Sequence, residues 1–252
     1  MTEPELYDDL SGQVALVTGA NRGIGAEIAT QLSELGATVY AGSRSQSNET
    51  PEGTERVLLD VTQEGDVEAA VDGIFDEVGR LDVLVNNAGV GEFGNVRKSL
   101  RDFRANQNAS RSGDDIVAEP TAEIDRTLAT NLRGPMVVCK HAVPLLLQNE
   151  GGRVVNLSSG MGALNEAQSG GSPSYRISKT GINGLTAYLH GEYADDGLIA
   201  NSACPGYVKT DMAGDDATRP VEKGAETPVW LSRFEAGSPA GRFWRDKEVI
   251  DW

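Results

Sequence analysis

Several residue types that mark other protein classes are scarce in this chain. Its 252 residues include only two cysteines, Cys139 and Cys204, whose spacing fits neither a metal site nor a disulfide framework. No apolar run approaches the ~20 residues that a membrane-spanning helix needs. The acidic start MTEPELYDDLSG lacks a basic segment followed by an apolar one, so no signal peptide is predicted. These absences favour a cytoplasmic protein without a bound metal.

Positive charge is also scarce. The chain has 38 acidic and 22 basic residues, which gives a formal net charge of −16. Nucleic acids and anionic membrane surfaces require basic patches, so neither is an expected partner. Only 6 of the 22 basic residues are lysine. Such an acidic composition keeps a protein hydrated in concentrated salt and suggests a salt-loving source; an ordinary acidic cytoplasmic protein is the alternative.

Short apolar segments alternate with longer amphipathic ones along the whole chain. The short segments are rich in β-branched residues, which predicts buried strands at 13–18, 37–42, 56–60, 81–85, 153–158 and 197–204. The longer segments predict helices at 24–36, 64–79, 121–148 and 174–194. This alternation predicts a single α/β domain, residues 1–252, whose parallel sheet is covered by helices on both faces. Ligands of such sheets bind beyond the carboxyl ends of the strands.

Two stretches lie outside this alternation. Residues 1–11 form a predicted N-terminal extension. Residues 91–120 have weak periodicity and follow a predicted strand, so they border the expected ligand-binding edge. We interpret the second stretch as a mobile lid near the active site; a tolerated surface insertion is the alternative.

A glycine cluster follows the first predicted strand. Gly19, Gly23 and Gly25 stand between that strand and the first predicted helix, in the spacing G-x-x-x-G-x-G. Glycines allow a tight turn and let a phosphate approach the N-terminus of a helix closely. In this strand–turn–helix context the cluster predicts nucleotide binding.

The end of the second predicted strand indicates which dinucleotide binds. An acidic residue there would hydrogen-bond the ribose 2′-hydroxyl of NAD. Here the sequence is AGSRS, which has Arg44 and no carboxylate, and Arg22 adds a second cation within the glycine loop. Two guanidinium groups suit the additional 2′-phosphate of NADP, so NADP(H) is the predicted cofactor.

The segment SYRISK places Tyr175 and Lys179 four residues apart in a predicted helix. Side chains with this spacing lie on one face of the helix. An ammonium group beside a phenol favours the phenolate, so we expect Lys179 to lower the pKa of Tyr175. A tyrosine with a lowered pKa exchanges protons near neutral pH, which predicts a catalytic acid or base.

Seven motifs occur in the order typical of one family. They are TGANRGIG, Asp60 in LLDVT, NNAG at 86–89, Asn131, the serines of NLSSG, the Tyr175–Lys179 pair and PG at 205–206. From about residue 12 to its C-terminus, the chain resembles the short-chain dehydrogenase/reductase family. Within that family it is most similar to the NADPH-dependent carbonyl reductases. The resemblance implies one doubly wound Rossmann-type α/β domain with a parallel sheet of about seven strands.

The resemblance also implies roles for individual residues. Tyr175 would protonate the carbonyl oxygen, and Lys179 would lower its pKa and bind the nicotinamide ribose. Ser159 would hydrogen-bond the substrate oxygen, with Ser158 as the alternative serine. Asn131 would hold a water that links Lys179 to solvent. The implied cofactor-binding residues are Gly19, Asn21, Arg22, Gly23, Ile24, Gly25, Arg44, Asp60, Val61, Asn86, Ala88, Gly89, Tyr175, Lys179, Pro205, Gly206, Val208 and Thr210.

We therefore expect an enzyme that transfers hydride from NADPH to a small ketone, aldehyde or quinone. Oxidation of a secondary alcohol by the same site is a second hypothesis, and a non-catalytic dinucleotide-sensing protein is a third. The resemblance further implies a homodimer or homotetramer. Some carbonyl reductases carry a long insertion before the catalytic tyrosine, whereas the segment from Ser159 to Tyr175 is short here. Neither their substrates nor their monomeric state is therefore expected to carry over.

Overall fold

The protein is built on one eight-stranded sheet with helices on both faces. The computed structural model describes residues 3–45, 47–91, 115–166, 168–213 and 217–252. The strands in these residues are β1 (Val14–Val17), β2 (Thr38–Ser43), β3 (Glu55–Leu58), β4 (Val83–Asn86), β5 (Arg153–Leu157), β6 (Ile199–Ala203), β7 (Arg242–Arg245) and β8 (Glu248–Ile250). Their order in the sheet is β3-β2-β1-β4-β5-β6-β7-β8. The expected doubly wound α/β fold is confirmed.

Strands β1 to β7 are parallel, and β8 runs antiparallel to β7. The first six lie within two residues of their predicted positions. The β7–β8 hairpin was not predicted, because its turn residues are Asp246 and Lys247 rather than Asn-Gly or Asp-Gly. Both nevertheless have positive φ angles, 53° and 64°, as a two-residue hairpin turn requires.

Six helices in the described residues cover the sheet. They are α1 (Gly23–Glu34), α2 (Glu64–Val78), α3 (Thr121–Leu128), α4 (Gly134–Leu146), α5 (Pro173–Tyr193) and α6 (Val221–Ser232). Helices α1 and α6 pack in the core on one face of the sheet, and α2, α4 and α5 pack in the core on the other. Successive residues of β1 alternate between these two cores, as the two-residue period of a strand requires.

The helical stretch predicted at 121–148 is helical from Thr121 to Leu146, but it is not one regular α-helix. A π-helical turn, Ala129–Arg133, separates α3 from α4. Within it the Gly134 N–H donates to the Ala129 carbonyl, five residues back. The next residue, Pro135, has no N–H group and cannot continue the i→i−4 ladder. The interruption places Asn131 in the middle of the π-helical turn, a type of helix defect that is frequent at functional sites.

Helix α6 was not predicted, because its sequence contains Gly224 and Pro228, which disfavour helices. Tertiary packing overrides that preference. Ala225 and Leu231 are buried in the core. A Cβ at Gly224 would lie 2.6 Å from Val208 Cγ2, so only glycine permits this close approach.

The predicted N-terminal extension is packed on the body of the domain. Leu10 is fully buried, and the Tyr7 N–H donates to the Arg233 carbonyl at 2.9 Å. Of the predicted lid at 91–120, residues 92–114 lie outside the described residues, so the lid interpretation stays a prediction. In the part of the chain that the structure describes, no helix is long and apolar enough to cross a membrane.

A buried carboxylate, Asp82, connects the amino-terminal ends of β1, β4 and β5, opposite the carboxyl ends where ligands are expected. Asp82 is 4% exposed and accepts hydrogen bonds from the Val14 N–H at 2.8 Å and from two nitrogens of Arg80. Its carbonyl accepts the N–H of Arg153, and its charge offsets the burial that lowers the pKa of the Arg153 guanidinium. The negative charge of Asp82 therefore partly compensates the buried positive charge of Arg153.

We predict that Asp82→Asn lowers the free energy of unfolding by about 3 kcal/mol, because it removes a buried negative charge that pairs with Arg80 and offsets the burial of Arg153. Urea unfolding followed by circular dichroism measures this change. The matched control is Asp76→Asn on the exposed side of α2, which should stay within about 0.5 kcal/mol of wild type. Equal effects of the two substitutions would contradict the role given to Asp82.

Candidate active site

A cleft of about 460 Å³ lies beyond the carboxyl ends of the central strands. The chain runs outward from β1 to β3 and then returns to place β4 on the other side of β1. The strand order therefore reverses between β1 and β4, which is the place where open α/β sheets bind ligands. The glycine loop after β1 and the NNAG turn after β4 both line the cleft.

The glycine loop and the NNAG turn are held together by hydrogen bonds. Asn87 Nδ2 donates to the carbonyls of Thr18 and Gly19, at 2.9 and 3.0 Å. The Thr18 hydroxyl in return accepts the N–H groups of Asn87 and Ala88. A Cβ at Gly25 would lie 2.2 Å from Asn87 Nδ2, so glycine is required there for the contact to form.

The N-terminus of α1 opens into this cleft. The helix begins at Gly23, where φ is +57°, and the preceding Arg22 side chain makes no capping hydrogen bond. No acidic residue lies in the first turn. The first N–H groups of a helix have no partner within the helix and carry a partial positive charge. Gly23, Ile24 and Gly25, which line the cleft, therefore present hydrogen-bond donors suited to a phosphate.

Positive side chains dominate the charged lining of the cleft. The cations are Arg22, Arg44, Lys179 and Lys209, and Asp211 is the one carboxylate among the lining residues that the structure describes. Arg22 Nη1 lies 2.8 Å from Asp211 Oδ2, which joins the glycine loop to the segment after β6. Because the whole chain has a net charge of −16, this cationic cleft contrasts with its surroundings and favours an anionic ligand.

Tyr175 stands in the first turn of α5 and lines the cleft, where it is partly buried. Burial raises the pKa of its phenol to about 12, and a hydrogen bond with the Ser159 side chain acts in the opposite direction. The pKa of Tyr175 is therefore raised rather than lowered as expected, because burial outweighs the interactions that favour the phenolate. The Ser159 contact agrees with the choice of Ser159 over Ser158, whose hydroxyl donates to the Lys179 carbonyl at 3.2 Å.

Lys179 is one helical turn further along α5 and is only 6% exposed. Its Nζ donates to the Leu157 carbonyl at 2.7 Å and lies 5.6 Å from the centre of the Tyr175 ring. Burial lowers the pKa of this ammonium group to about 8. The Tyr175–Lys179 pair is thus brought together as the spacing predicted, but desolvation dominates the proton affinity of both groups.

Asn131 is buried and fixes the turn that follows β4. Its side-chain amide donates to the Val90 carbonyl at 2.8 Å and its Oδ1 accepts the Val90 N–H at 2.8 Å. A Cβ at Gly89 would lie 3.5 Å from Asn131 Oδ1 and 3.8 Å from Lys179 Nζ. The absence of a side chain at Gly89 thus leaves room beside Asn131 Oδ1 and Lys179 Nζ. The water expected to link Asn131 and Lys179 to solvent stays a prediction.

Most of the expected cofactor-binding residues line the cleft together. They are Gly19, Asn21, Arg22, Gly23, Ile24, Gly25, Arg44, Val61, Ala88, Gly89, Tyr175, Lys179, Pro205 and Thr210.

Four others do not line the cleft. Asn86 is 3% exposed and donates to Asn156 Oδ1 within the core. Asp60 accepts hydrogen bonds from the backbone and hydroxyl of Thr62. Val208 is buried, and Gly206, with a φ of +80°, shapes the chain after Pro205. These residues support the cleft rather than line it.

Sequence reasoning missed three contributors to the site. Asn87, rather than Asn86, holds the glycine loop, and Thr18 completes that contact. The two adjacent asparagines of NNAG indicated that one of them could contact the glycine loop. Which of the two does so depends on the alternation of side chains along β4. Lys209, which adds a cation to the cleft, had no signal beyond its place after β6. Within the described residues, no cluster of three or more His, Cys, Asp or Glu side chains could hold a metal ion.

Comparison with known proteins assigns this arrangement to a family. The family model described as short chain dehydrogenase matches residues 13–220. Carbonyl reductase (NADPH) 1 of Mus musculus is 32% identical over 96% of this chain and 99% of its own. (+)-Neomenthol dehydrogenase of Arabidopsis thaliana is 30% identical over 94% of this chain and 97% of its own. Among solved structures, the aldohexose dehydrogenase of Thermoplasma acidophilum superposes with a TM-score of 0.78 at 25% identity, over 95% of this chain and 94% of its own.

We predict that Lys179 loses its proton with a midpoint near pH 8, so that it is charged below that pH and neutral above it. Titration of ¹³C-labelled lysine side chains by NMR measures this directly, with the Lys179→Met spectrum giving the assignment. Lys140 is an internal control, because its contact with Glu64 raises its pKa. A protein in which every lysine titrates near pH 10 or above would contradict the predicted effect of burial.

Proposed function

The chain belongs to the short-chain dehydrogenase family of oxidoreductases, and we propose that it reduces ketones, aldehydes or quinones with NADPH. One observation carries the proposal. The hydrogen-bonded side chains of Ser159 and Tyr175 lie beside Lys179, at a cleft whose lining holds four cations and the N-terminus of α1. Such an arrangement can bind a phosphate-containing dinucleotide and donate a proton next to it.

The residues of the cleft fit the dinucleotide. A Cβ at Gly19 would lie 2.9 Å from the Ala88 Cα, and the one at Gly25 would strike Asn87, so these glycines let the loop pack closely against the NNAG turn on the wall of the cleft. Arg44 follows β2 directly, is exposed, and makes no hydrogen bond or ion pair with another described residue. Its free guanidinium suits a 2′-phosphate. When bound, the cofactor would supply the hydride.

The proton in the proposed reaction comes from Tyr175. With a pKa of about 12, this residue keeps its O–H group at neutral pH and can donate it to a carbonyl oxygen as that oxygen becomes negative. Ser159 offers a second hydroxyl group at the same position, which orients the oxygen. As the proton leaves, the charge of Lys179 on the same helix face stabilises the phenolate.

Oxidation of a secondary alcohol by the same site is the second candidate function. That direction requires Tyr175 to accept a proton, so its phenolate must be populated. The raised pKa of Tyr175 keeps that form scarce at neutral pH, so oxidation by this site should become faster as the pH rises. The third candidate, a non-catalytic sensor, has no need for a hydrogen bond between Ser159 and Tyr175 or for Lys179 beside the Tyr175 ring, and this geometry argues against it.

We further propose that the chain assembles into a homodimer or homotetramer through α5. Ile177 and Tyr188 on this helix are 55% and 59% exposed, although both are large and largely apolar. Leu189, by contrast, is 3% exposed and faces the sheet. An apolar helix face of this kind is suited to pairing with a second copy across a two-fold axis.

We predict that Tyr175→Phe lowers kcat for carbonyl reduction by about 10²–10⁴-fold, because it removes the proton donor and leaves the ring in place. NADPH affinity, measured by fluorescence titration, should be unchanged. The control is Tyr193→Phe, which removes a hydroxyl group from the far end of the same helix and should keep wild-type kcat. Wild-type turnover by Tyr175→Phe on every active substrate would contradict the mechanism.

Arg44 generates a prediction about cofactor choice. Wild type should prefer NADPH over NADH by at least about tenfold in kcat/KM at low salt, since a charge-assisted hydrogen bond contributes ~1.5–3 kcal/mol. Arg44→Asp should abolish or reverse this preference, mainly by weakening NADPH binding. Arg56→Asp makes the same change of charge on the neighbouring strand β3 and serves as the control. Equal use of both cofactors by wild type, or an unchanged preference in Arg44→Asp, would argue against the role of Arg44.

A further inference from the structure

One further arginine, Arg245, is partly exposed and lies close to Ser159, on the side formed by the C-terminal part of the chain. Arg245 is the last residue of β7, and its Nε donates to Cys204 Sγ at 3.4 Å. The same sulfur accepts the Gly160 N–H at 3.2 Å. Cys204 Sγ thus links Arg245 to Gly160, the residue that follows Ser159.

Gly160 shows how close the guanidinium group comes to the catalytic serine. This glycine directly follows Ser159. A Cβ built at Gly160 would lie 2.3 Å from Arg245 Nη2, so any other residue would displace the guanidinium. The loop after β5 therefore leaves a space that Arg245 occupies, immediately beside the serine expected to hold the substrate oxygen.

The outer nitrogens of Arg245 are available for a ligand. Within the described residues, neither Nη atom donates a hydrogen bond to the protein, and no carboxylate lies within 4.0 Å of the group. The nearby Asp246 is instead bound by both Nη atoms of Arg219. Glu166, on the loop between Ser159 and Tyr175, interacts with Arg245 only electrostatically. A planar guanidinium with two free nitrogens is suited to bidentate binding of a carboxylate.

We propose that Arg245 binds the carboxylate of the substrate, and that the preferred substrates are oxo acids, in which a carboxylate lies near the reacting carbonyl. The inference rests on the proposed reductase function and names its substrate class. A negative chain repels an anionic substrate from most of its surface, so a local cation beside Ser159 provides selectivity at the site itself. Hydroxyl groups of Ser159 and Tyr175 would hold the carbonyl oxygen while Arg245 holds the acid.

The experiment compares each oxo acid with its methyl ester, which keeps the carbonyl group and removes the charge. Short α-oxo and γ-oxo acids and their esters are assayed by NADPH oxidation with wild type, Arg245→Gln, Arg245→Lys and Arg242→Gln. Arg242 is an exposed arginine on the same strand and is the matched control. A second readout is competitive inhibition of the reduction of a neutral ketone by a simple carboxylic acid.

Wild type should favour the acid over the ester by about tenfold or more in kcat/KM for at least one pair. Arg245→Gln should lose that preference through a higher KM for the acid, and should lose inhibition by the carboxylic acid, while ester reduction stays within about twofold. Arg245→Lys should show part of the wild-type preference for the acid. Arg242→Gln should keep all of it. The inference is overturned if wild type reduces the ester as well as the acid in every pair, or if Arg245→Gln slows acid and ester equally. Failure to reduce any acid, ester or neutral ketone would instead overturn the proposed reductase function itself.

Discussion

The site depends on one buried hydrogen bond, from Lys179 Nζ to the carbonyl at the end of β5. It holds helix α5 against the end of β5 that borders the cleft, and Tyr175 on the same helix lies beside Ser159. The bond is made by an ammonium group that burial disfavours, which is why the pKa of Lys179 falls to about 8. An unfolded lysine has a pKa near 10.4. Between these values the unfolded chain binds more protons, so stability rises with pH, and at neutral pH the charged lysine costs stability. This cost keeps a positive charge on Lys179 near Tyr175, where the proposed proton transfer would use it.

A row of buried polar side chains fixes the same helix further along its length. Asn86 donates to Asn156, Asn156 donates to Thr186 of α5, and Thr186 shares a hydrogen bond with Ser202. The residues lie at matching positions on β4, β5 and β6, so the row follows the sheet register. Apolar packing alone would allow α5 to shift along the sheet. These polar side chains reach their hydrogen-bond partners at only one position of the helix. Asn86 thus acts on the site through α5, although it does not line the cleft.

The parts that were predictable from the sequence are those determined locally. The strands β1 to β6 have β-branched segments bounded by turn residues, the glycine loop follows from its spacing, and Tyr175 and Lys179 follow from the helical period. The parts that were missed depend on tertiary contact. Helix α6 forms despite Gly224 and Pro228 because most of its residues, these two included, are buried. The direction of the Tyr175 pKa shift was wrong because a sequence shows that a cation is near, but not how little water reaches the phenol.

Charge and burial together determine how the site responds to salt. The exposed cations Arg22 and Arg44 face solvent at the cofactor end, and the Arg22–Asp211 pair has side chains that are 70% and 78% exposed. Their interactions should weaken as the Debye length falls from ~10 Å at 0.1 M to ~3 Å at 1 M salt. Lys179 is buried and is screened far less. The same salt relieves repulsion within a chain of net charge −16. If Arg22 and Arg44 bind the cofactor phosphate as proposed, high salt should weaken that binding while it leaves the buried Lys179 little affected, so that cofactor selectivity and turnover would respond to salt separately.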